Sequence, residues 1–136
     1  SSTAYGASII KKDDLHLLIT GDVSFLYDSN ALWNEYIPKN FKIILINNGG
    51  GGIFRILPGH EENEVFNKFF ETSHCFTAEQ LAIMYHFEYF TASDELSLEK
   101  GLVDFYAEND KPVILEIFTP TLLNDKVLLQ YFRELV

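Results

Sequence analysis

Two short apolar runs, residues 15–20 and 41–46, constrain this chain more than any other feature it carries. The first stops at Gly21-Asp22 and the second at Asn47-Asn48. Runs this short and this nearly continuous match strands buried on both faces of a parallel sheet, where alternation with polar residues is lost. Between them Phe25, Leu26, Ser29, Leu32, Trp33 and Tyr36 recur near helical spacing until Pro38 removes a backbone donor and stops the segment. Strand, helix and strand in that order make a βαβ unit.

The rest of the chain continues the alternation. Thr77-x-x-Gln80 reads as a capping box that opens a helix through about Tyr85, followed by a strand over 87–91, a helix over 96–107 and a last strand over 112–119. An amphipathic helix over 122–136 closes the chain and another over 2–11 opens it. This order predicts a three-layer α/β/α fold, a mostly parallel, doubly wound sheet that takes ligands beyond the carboxyl ends of its strands. No internal repeat or linker interrupts it, and 136 residues with 47% hydrophobic content are read as one domain over 1–136.

Charge narrows the function. A net charge of -10, with Arg55 and Arg133 the only arginines, disfavours a nucleic-acid surface, which needs clustered cations. No apolar run approaches the roughly 20 residues that span a bilayer. Cys75 is alone, which forbids an internal disulfide and fits a reducing cytoplasm. The chain starts at Ser1 and its one methionine is Met84, so it reads as a fragment of a longer protein. A phosphorylated ligand here would have to be neutralised by a metal ion and backbone N–H groups.

The chemistry-bearing residues sit where the fold would gather them. Asp22 follows one strand, Asn47-Asn48 the next, and Gly49-Gly50-Gly51-Gly52 comes directly after, half of the eight glycines in the chain. Glycine lets a backbone approach a ligand closely and adopt positive φ without steric cost. Mg²⁺ takes six oxygens and shares them among protein, phosphate and water. The Asp22 carboxylate, the Asn48 amide oxygen and a glycine carbonyl supply three, two diphosphate oxygens and a water the others. A helix starting near Ser24 would add its positive N-terminal end. Gly-Asp after a strand is also an ordinary turn, and Asn-Gly a hairpin turn. The stretch 53–58, however, is too short for a returning strand and ends in Pro58.

Other clusters read more plainly. His74-Cys75 is a chance neighbour pair without an orienting third group. His16 and His86 are core or boundary residues. His60 with Glu61, Glu62 and Glu64 is a solvated loop before it is a cation site, and Asp13-Asp14 and Asp94-Glu95 are charged element boundaries.

Gly21-Asp22-Val23-Ser24, a helix, and then Asn47-Asn48 resembles the signature of thiamine-diphosphate-dependent enzymes, Gly-Asp-Gly followed at a distance by Asn-Asn. Val23 departs from the usual glycine. A menaquinone-pathway branch of that family is similar in carrying a larger apolar residue followed by serine. It is similar also in Tyr27-Asp28-Ser29-Asn30-Ala31-Leu32, in the run from Asn47-Asn48 to Ile53-Phe54, and in Leu57-Pro58.

The resemblance implies thiamine diphosphate and Mg²⁺ (or Mn²⁺) as cofactors. It makes Asp22 and Asn48 side-chain metal ligands and Gly50 the carbonyl ligand, with Gly49 and Gly51 open because the glycine run is one residue shorter than in some relatives. Gly21, Val23, Ser24 and Gly51 would line the cofactor. Ile53, Phe54 and Leu57 would wall its reacting end, or else form a plain apolar turn. The family's ionising glutamate belongs to an upstream pyrimidine-binding domain, so the resemblance places no catalytic residue in this chain and implies that it is inactive alone. For the whole enzyme it implies 2-oxoglutarate decarboxylation, addition of the succinyl-semialdehyde unit to isochorismate, and a homodimer or homotetramer. Trp33, Phe54 and Phe69-Phe70 would meet the pyrimidine-binding partner or fill the core. Two rivals remain: an acetolactate-synthase-like thiamine enzyme, and a non-catalytic Mg²⁺-binding α/β signalling module. A receiver-like module calls for an acidic cluster and a late lysine, whereas here Asp22 stands singly and Thr119-Pro120 follows the last strand.

Overall fold

The computed structural model describes residues 1–11, 13–59 and 61–135, which form two compact units. The first takes in Ser1–Asn47 and Thr77–Phe118; the second takes in Asn48–Phe76 and the residues from Thr119 onward.

The first unit is built on a four-stranded, all-parallel sheet in the order β1-β2-β4-β3, from β1 (His16–Gly21), β2 (Phe41–Asn47), β3 (Glu88–Ala92) and β4 (Val113–Phe118). Side chains alternate across a strand, so β4 feeds two cores at once. Ile114 joins Phe25, Phe41, Ile43, Leu45, Ala82 and Phe87 on one face, while Val113 and Leu115 join Ala92 and Phe105 on the other. Helices α1 (Ser2–Ile10), α2 (Asp22–Asp28) and α3 (Glu79–Met84) serve the first face, and α4 (Glu95–Tyr106) the second. The layered, doubly wound α/β expectation holds. The helices of β1-α2-β2 and β3-α4-β4 lie on opposite faces, and the two halves meet where β2 pairs with β4, a topological switch point.

Three local expectations change. β1 is not buried on both faces: it alternates, leaving Leu17 and Ile19 exposed, the latter by 64%. It is an edge strand, and α4 packs chiefly on β3 and β4. The segment after β1 is shorter than its apolar spacing suggests. α2 gives way to a 3₁₀ turn over Ser29–Leu32, and Trp33 and Tyr36 are exposed. The capping box at Thr77-x-x-Gln80 does not form. α3 starts from Ala78, whose N–H is taken by the distant Glu116 carboxylate instead of a local side chain.

The box forms instead on α4. Ser97 N–H donates to Asp94 Oδ1 at 2.8 Å while Asp94 N–H donates to Ser97 Oγ at 3.1 Å. The Ser97 N–H and then the Ser97 hydroxyl, both donating to it, hold the Asp94 carboxyl below the usual carboxylate range. At the other end of α4 the Lys42 ammonium donates to the carbonyls of Phe105 and Ala107, the groups a helix C-terminus leaves without partners. Burial pushes the Lys42 pKa down.

The second unit has little regular structure: a 3₁₀ turn over Gly52–Ile56, a π-helical turn over Phe66–Phe70, and α5 (Asn124–Glu134) packed on the first of these. No described residue of α5 is buried, and its Val127, Leu128, Tyr131 and Phe132 stand in solvent.

Candidate cofactor and metal site

In the first unit, parallel pairing sets Gly21 opposite Ile46, so the chain leaves β1 and β2 at the same edge of the sheet. Asp22 is 3% exposed and is itself the first residue of α2, two positions ahead of the helix start expected at Ser24. Its Oδ1 accepts the Val23 N–H at 2.7 Å. Gly21 and Ser24 on either side are exposed.

The two asparagines after β2 divide their roles. Asn47 is buried and its Nδ2 donates to Glu116 Oε1 at 2.6 Å. Glu116, fully buried on β4, accepts through Oε2 from the Ala78 N–H at 2.9 Å and the Tyr89 hydroxyl at 2.5 Å. Burial and the neighbouring Glu116 carboxylate push the Tyr89 phenol up. Asn47 thus braces the end of β2, and Asn48 is the residue that enters the loop. A lone acid in the apolar run Val113-Ile114-Leu115-Glu116-Ile117-Phe118 is the sequence signal for this hub.

The glycine run opens the second unit. Gly49 has φ +76°, and its carbonyl accepts the His74 N–H at 3.0 Å. Gly51 N–H donates to the Glu71 carbonyl at 2.6 Å, and the Asn48 carbonyl accepts the Thr121 hydroxyl at 2.6 Å. A Cβ on Gly50 would stand 2.8 Å from the Glu71 carbonyl oxygen, and one on Gly52 2.5 Å from Asn48 Nδ2. Against the fixed Glu71 carbonyl only bare backbone fits at Gly50, whereas a side chain at Gly52 would displace the Asn48 amide.

Behind the loop, Arg55 and Glu71 are 5% and 2% exposed and form a two-point ion pair, Nε to Oε1 at 2.5 Å and Nη2 to Oε2 at 2.7 Å. Arg55 Nη1 also donates to Glu62 at 2.5 Å. Glu71, by hydrogen bonding, and then Glu62 raise the Arg55 pKa above its ordinary value. Thr72, directly after Glu71, has φ +53°, an outlier for a β-branched residue. Neither Glu71 nor Thr121 carried a sequence signal, because irregular chain, not periodic spacing, brings them to the loop.

The apolar residues expected beside a cofactor lie on the 3₁₀ turn. Ile53 and Leu57 are exposed; Phe54 is half-buried, edge-on to Phe70 at 6.1 Å. Phe54, Leu57, Pro58, Phe66 and Phe70 line a cavity of about 460 Å³. Trp33, Phe69 and Phe70 are exposed, so they are not core. Cys75 is exposed, and His74 Nδ1 accepts the Phe76 N–H at 3.1 Å. His16 Nε2 meets the Lys11 carbonyl at 2.7 Å. His60 lies outside the described residues.

Among the described residues no three His, Cys, Asp or Glu side chains come together as a metal cluster. A cation would therefore need a mixed oxygen set of carboxylate, amide and backbone carbonyl. Taken separately, the first unit offers a buried Asp22 carboxylate at the edge of its sheet and the second a glycine run with backbone carbonyls, and carboxylate and carbonyl oxygens are both of the kind a hard cation takes.

Comparison with known proteins defines the class. Residues 1–117 match the family described as the C-terminal TPP-binding domain of thiamine pyrophosphate enzymes, and the chain belongs to that family. Its curated relatives include proteins named 2-succinyl-5-enolpyruvyl-6-hydroxy-3-cyclohexene-1-carboxylate synthase. That of Flavobacterium johnsoniae is 64% identical over 99% of this chain, that of Flavobacterium psychrophilum 62% over 99%, and that of Christiangramia forsetii 55% over 97%. The chain spans 24%, 24% and 23% of their lengths, about a quarter of each. No described helix is long and apolar enough to cross a membrane.

Proposed function

We propose that this chain is the diphosphate- and Mg²⁺-anchoring domain, both units together, of a cytoplasmic synthase of the MenD type. The whole enzyme decarboxylates 2-oxoglutarate and adds the succinyl-semialdehyde unit to isochorismate in menaquinone biosynthesis. The observation that carries this reading is 64% identity across 99% of the chain to a synthase of that name. Bound thiamine diphosphate supplies the decarboxylation of a 2-oxo acid and the transfer of the remaining carbon unit.

The residues here bind and orient. Asp22 and Asn48 give side-chain oxygens to Mg²⁺ and Gly50 gives its carbonyl, with Gly49 and Gly51 as the alternatives. Gly21, Val23 and Ser24 flank the diphosphate at the strand-to-helix junction, and Gly51 lines it from the loop. Ile53, Phe54 and Leu57 keep water from the reacting end of the cofactor. None of these residues moves a proton in the reaction. The ionising glutamate and the cations that grip acidic substrates come from the rest of the enzyme, and Arg55 is already committed to Glu71 and Glu62. Turnover therefore needs the pyrimidine-binding domain, in a homodimer or homotetramer that completes the site.

The test is calorimetric titration of thiamine diphosphate into the full-length enzyme with and without Mg²⁺. Asp22→Ala and Asn48→Ala are each expected to weaken metal-dependent binding by about 100-fold or more. Binding that ignores Mg²⁺ or survives both changes refutes the ligand assignment. Product analysis with 2-oxoglutarate and isochorismate tests the reaction, and acetolactate formed from pyruvate in their place would refute it.

A further inference from the structure

We infer that Arg55 and Glu71 are positioning residues for the glycine loop: their buried two-point ion pair fixes the Glu71 backbone against Gly50 and Gly51. The inference rests on the proposed role of that loop in holding the diphosphate and its metal.

Three observations meet at Glu71. Its side chain is locked, because both carboxylate oxygens are taken by the Arg55 guanidinium and both residues are buried. A planar fork of two parallel bonds fixes orientation as well as distance, which a single contact does not. Its backbone is the loop's wall: the carbonyl accepts the Gly51 N–H at 2.6 Å and stands 2.8 Å from where a Gly50 Cβ would lie. The chain beyond it is held in an uncommon shape, with Thr72 at φ +53° and His74 N–H on the Gly49 carbonyl at 3.0 Å. A β-branched residue keeps positive φ only where its surroundings over-determine it. The segment 71–74 therefore touches the run at Gly49, Gly50 and Gly51 through backbone atoms, and the ion pair is what sets its rotation.

Arg55 also sits in the turn that follows the glycines, three residues after Gly52. The pair thus ties the exit of the loop to the wall behind it. Glu62 adds a second acceptor to the same guanidinium, from a partly exposed position.

The experiment uses the full-length enzyme and the double variant Arg55→Met/Glu71→Leu. It removes both charges together, so no buried charge is left unpaired and the fold is kept. Thiamine diphosphate affinity at fixed Mg²⁺ is expected to fall about 10-fold to 100-fold, the range seen when groups supporting a metal ligand are lost. The melting temperature of the cofactor-free enzyme stays at its wild-type value, and kcat at saturating cofactor stays within about twofold. Arg55→Lys, which keeps the charge but not the fork, is expected to lie between wild type and the double variant. Wild-type affinity in the double variant overturns the inference. So does a loss of affinity that follows a lowered cofactor-free melting temperature, which would make the pair mere scaffold. Asp22→Ala run in parallel separates the two readings: undiminished metal-dependent binding there sinks the ligand assignment, while the double variant alone decides the pair.

Discussion

The two units each bury a glutamate and satisfy it in opposite ways. Glu116, in the sheet, is met by three neutral donors, the Asn47 amide, the Tyr89 hydroxyl and the Ala78 N–H. Glu71, in the loop unit, is met by a cation, Arg55. Strands deliver donors to fixed places, so dipoles on β2, β3 and the start of α3 suffice. Irregular chain has no such register, and a charge-assisted fork supplies the orientation that hydrogen-bonded ladders supply elsewhere. The lesson is that the same side chain reports how much order its neighbours already have.

That difference is open to measurement, beginning with the largest effect. Glu71→Ala leaves the Arg55 guanidinium buried with only Glu62 beside it. Opening of this region should become easier by about 3 kcal/mol, read as faster hydrogen exchange at the Gly51 and His74 amides. Unchanged exchange would mean that the fork orders nothing. Glutamine separates the two carboxylates further. At position 116 it still accepts the Ala78 N–H, and Asn47 can turn its amide to meet the new NH₂, so the cost should stay below about 1 kcal/mol. At position 71 glutamine sets an NH₂ against a guanidinium N–H, and the loss should be clearly greater. Equal losses in the Ala78 and Gly51 amides would erase the contrast.

The smallest effect concerns the Asp94 cap. Its carboxyl titrates below the usual range in the folded chain, so its contribution is fully present above the unfolded value and is lost as pH falls through the folded one. Asp94→Asn keeps a capping oxygen without that titration. The acid limb of protection at the Ser97 amide should be shallower in the variant; an identical limb would remove Asp94 from the account.

Much of the scaffold was legible because burial writes itself into apolar runs. The strands at 15–20, 41–46, 87–91 and 112–119 fall within one or two residues of β1 to β4, and Asp22 and Asn47 do leave the sheet at one edge. What the pattern could not carry was whether a face finds a cover. Leu17 and Ile19 look like core in sequence and stand in solvent because the helices packed on β1, α1 and α2, serve the face that Leu18 joins. Local rules also misplaced the caps: no side chain caps α3, which starts from Ala78 and not from Thr77, and the box that does form, Asp94 with Ser97, lacks the glutamate or glutamine that usually marks one. The loop unit was the least readable. Its Arg55 and Glu71 are sixteen positions apart with no periodicity between them, so only the folded chain reveals their pairing.

The glycine run carries one more implication, for how such a loop tolerates genetic change. Its partners at residues 71 and 74 are backbone atoms, and so are its own. No substitution deletes a main-chain carbonyl or, proline aside, an amide. What a substitution at Gly50 can do is add matter against the fixed Glu71 carbonyl, and one at Gly52 would push the Asn48 amide aside. The cost of change at Gly50 is therefore one of volume instead of charge, and it begins with the first extra methyl group.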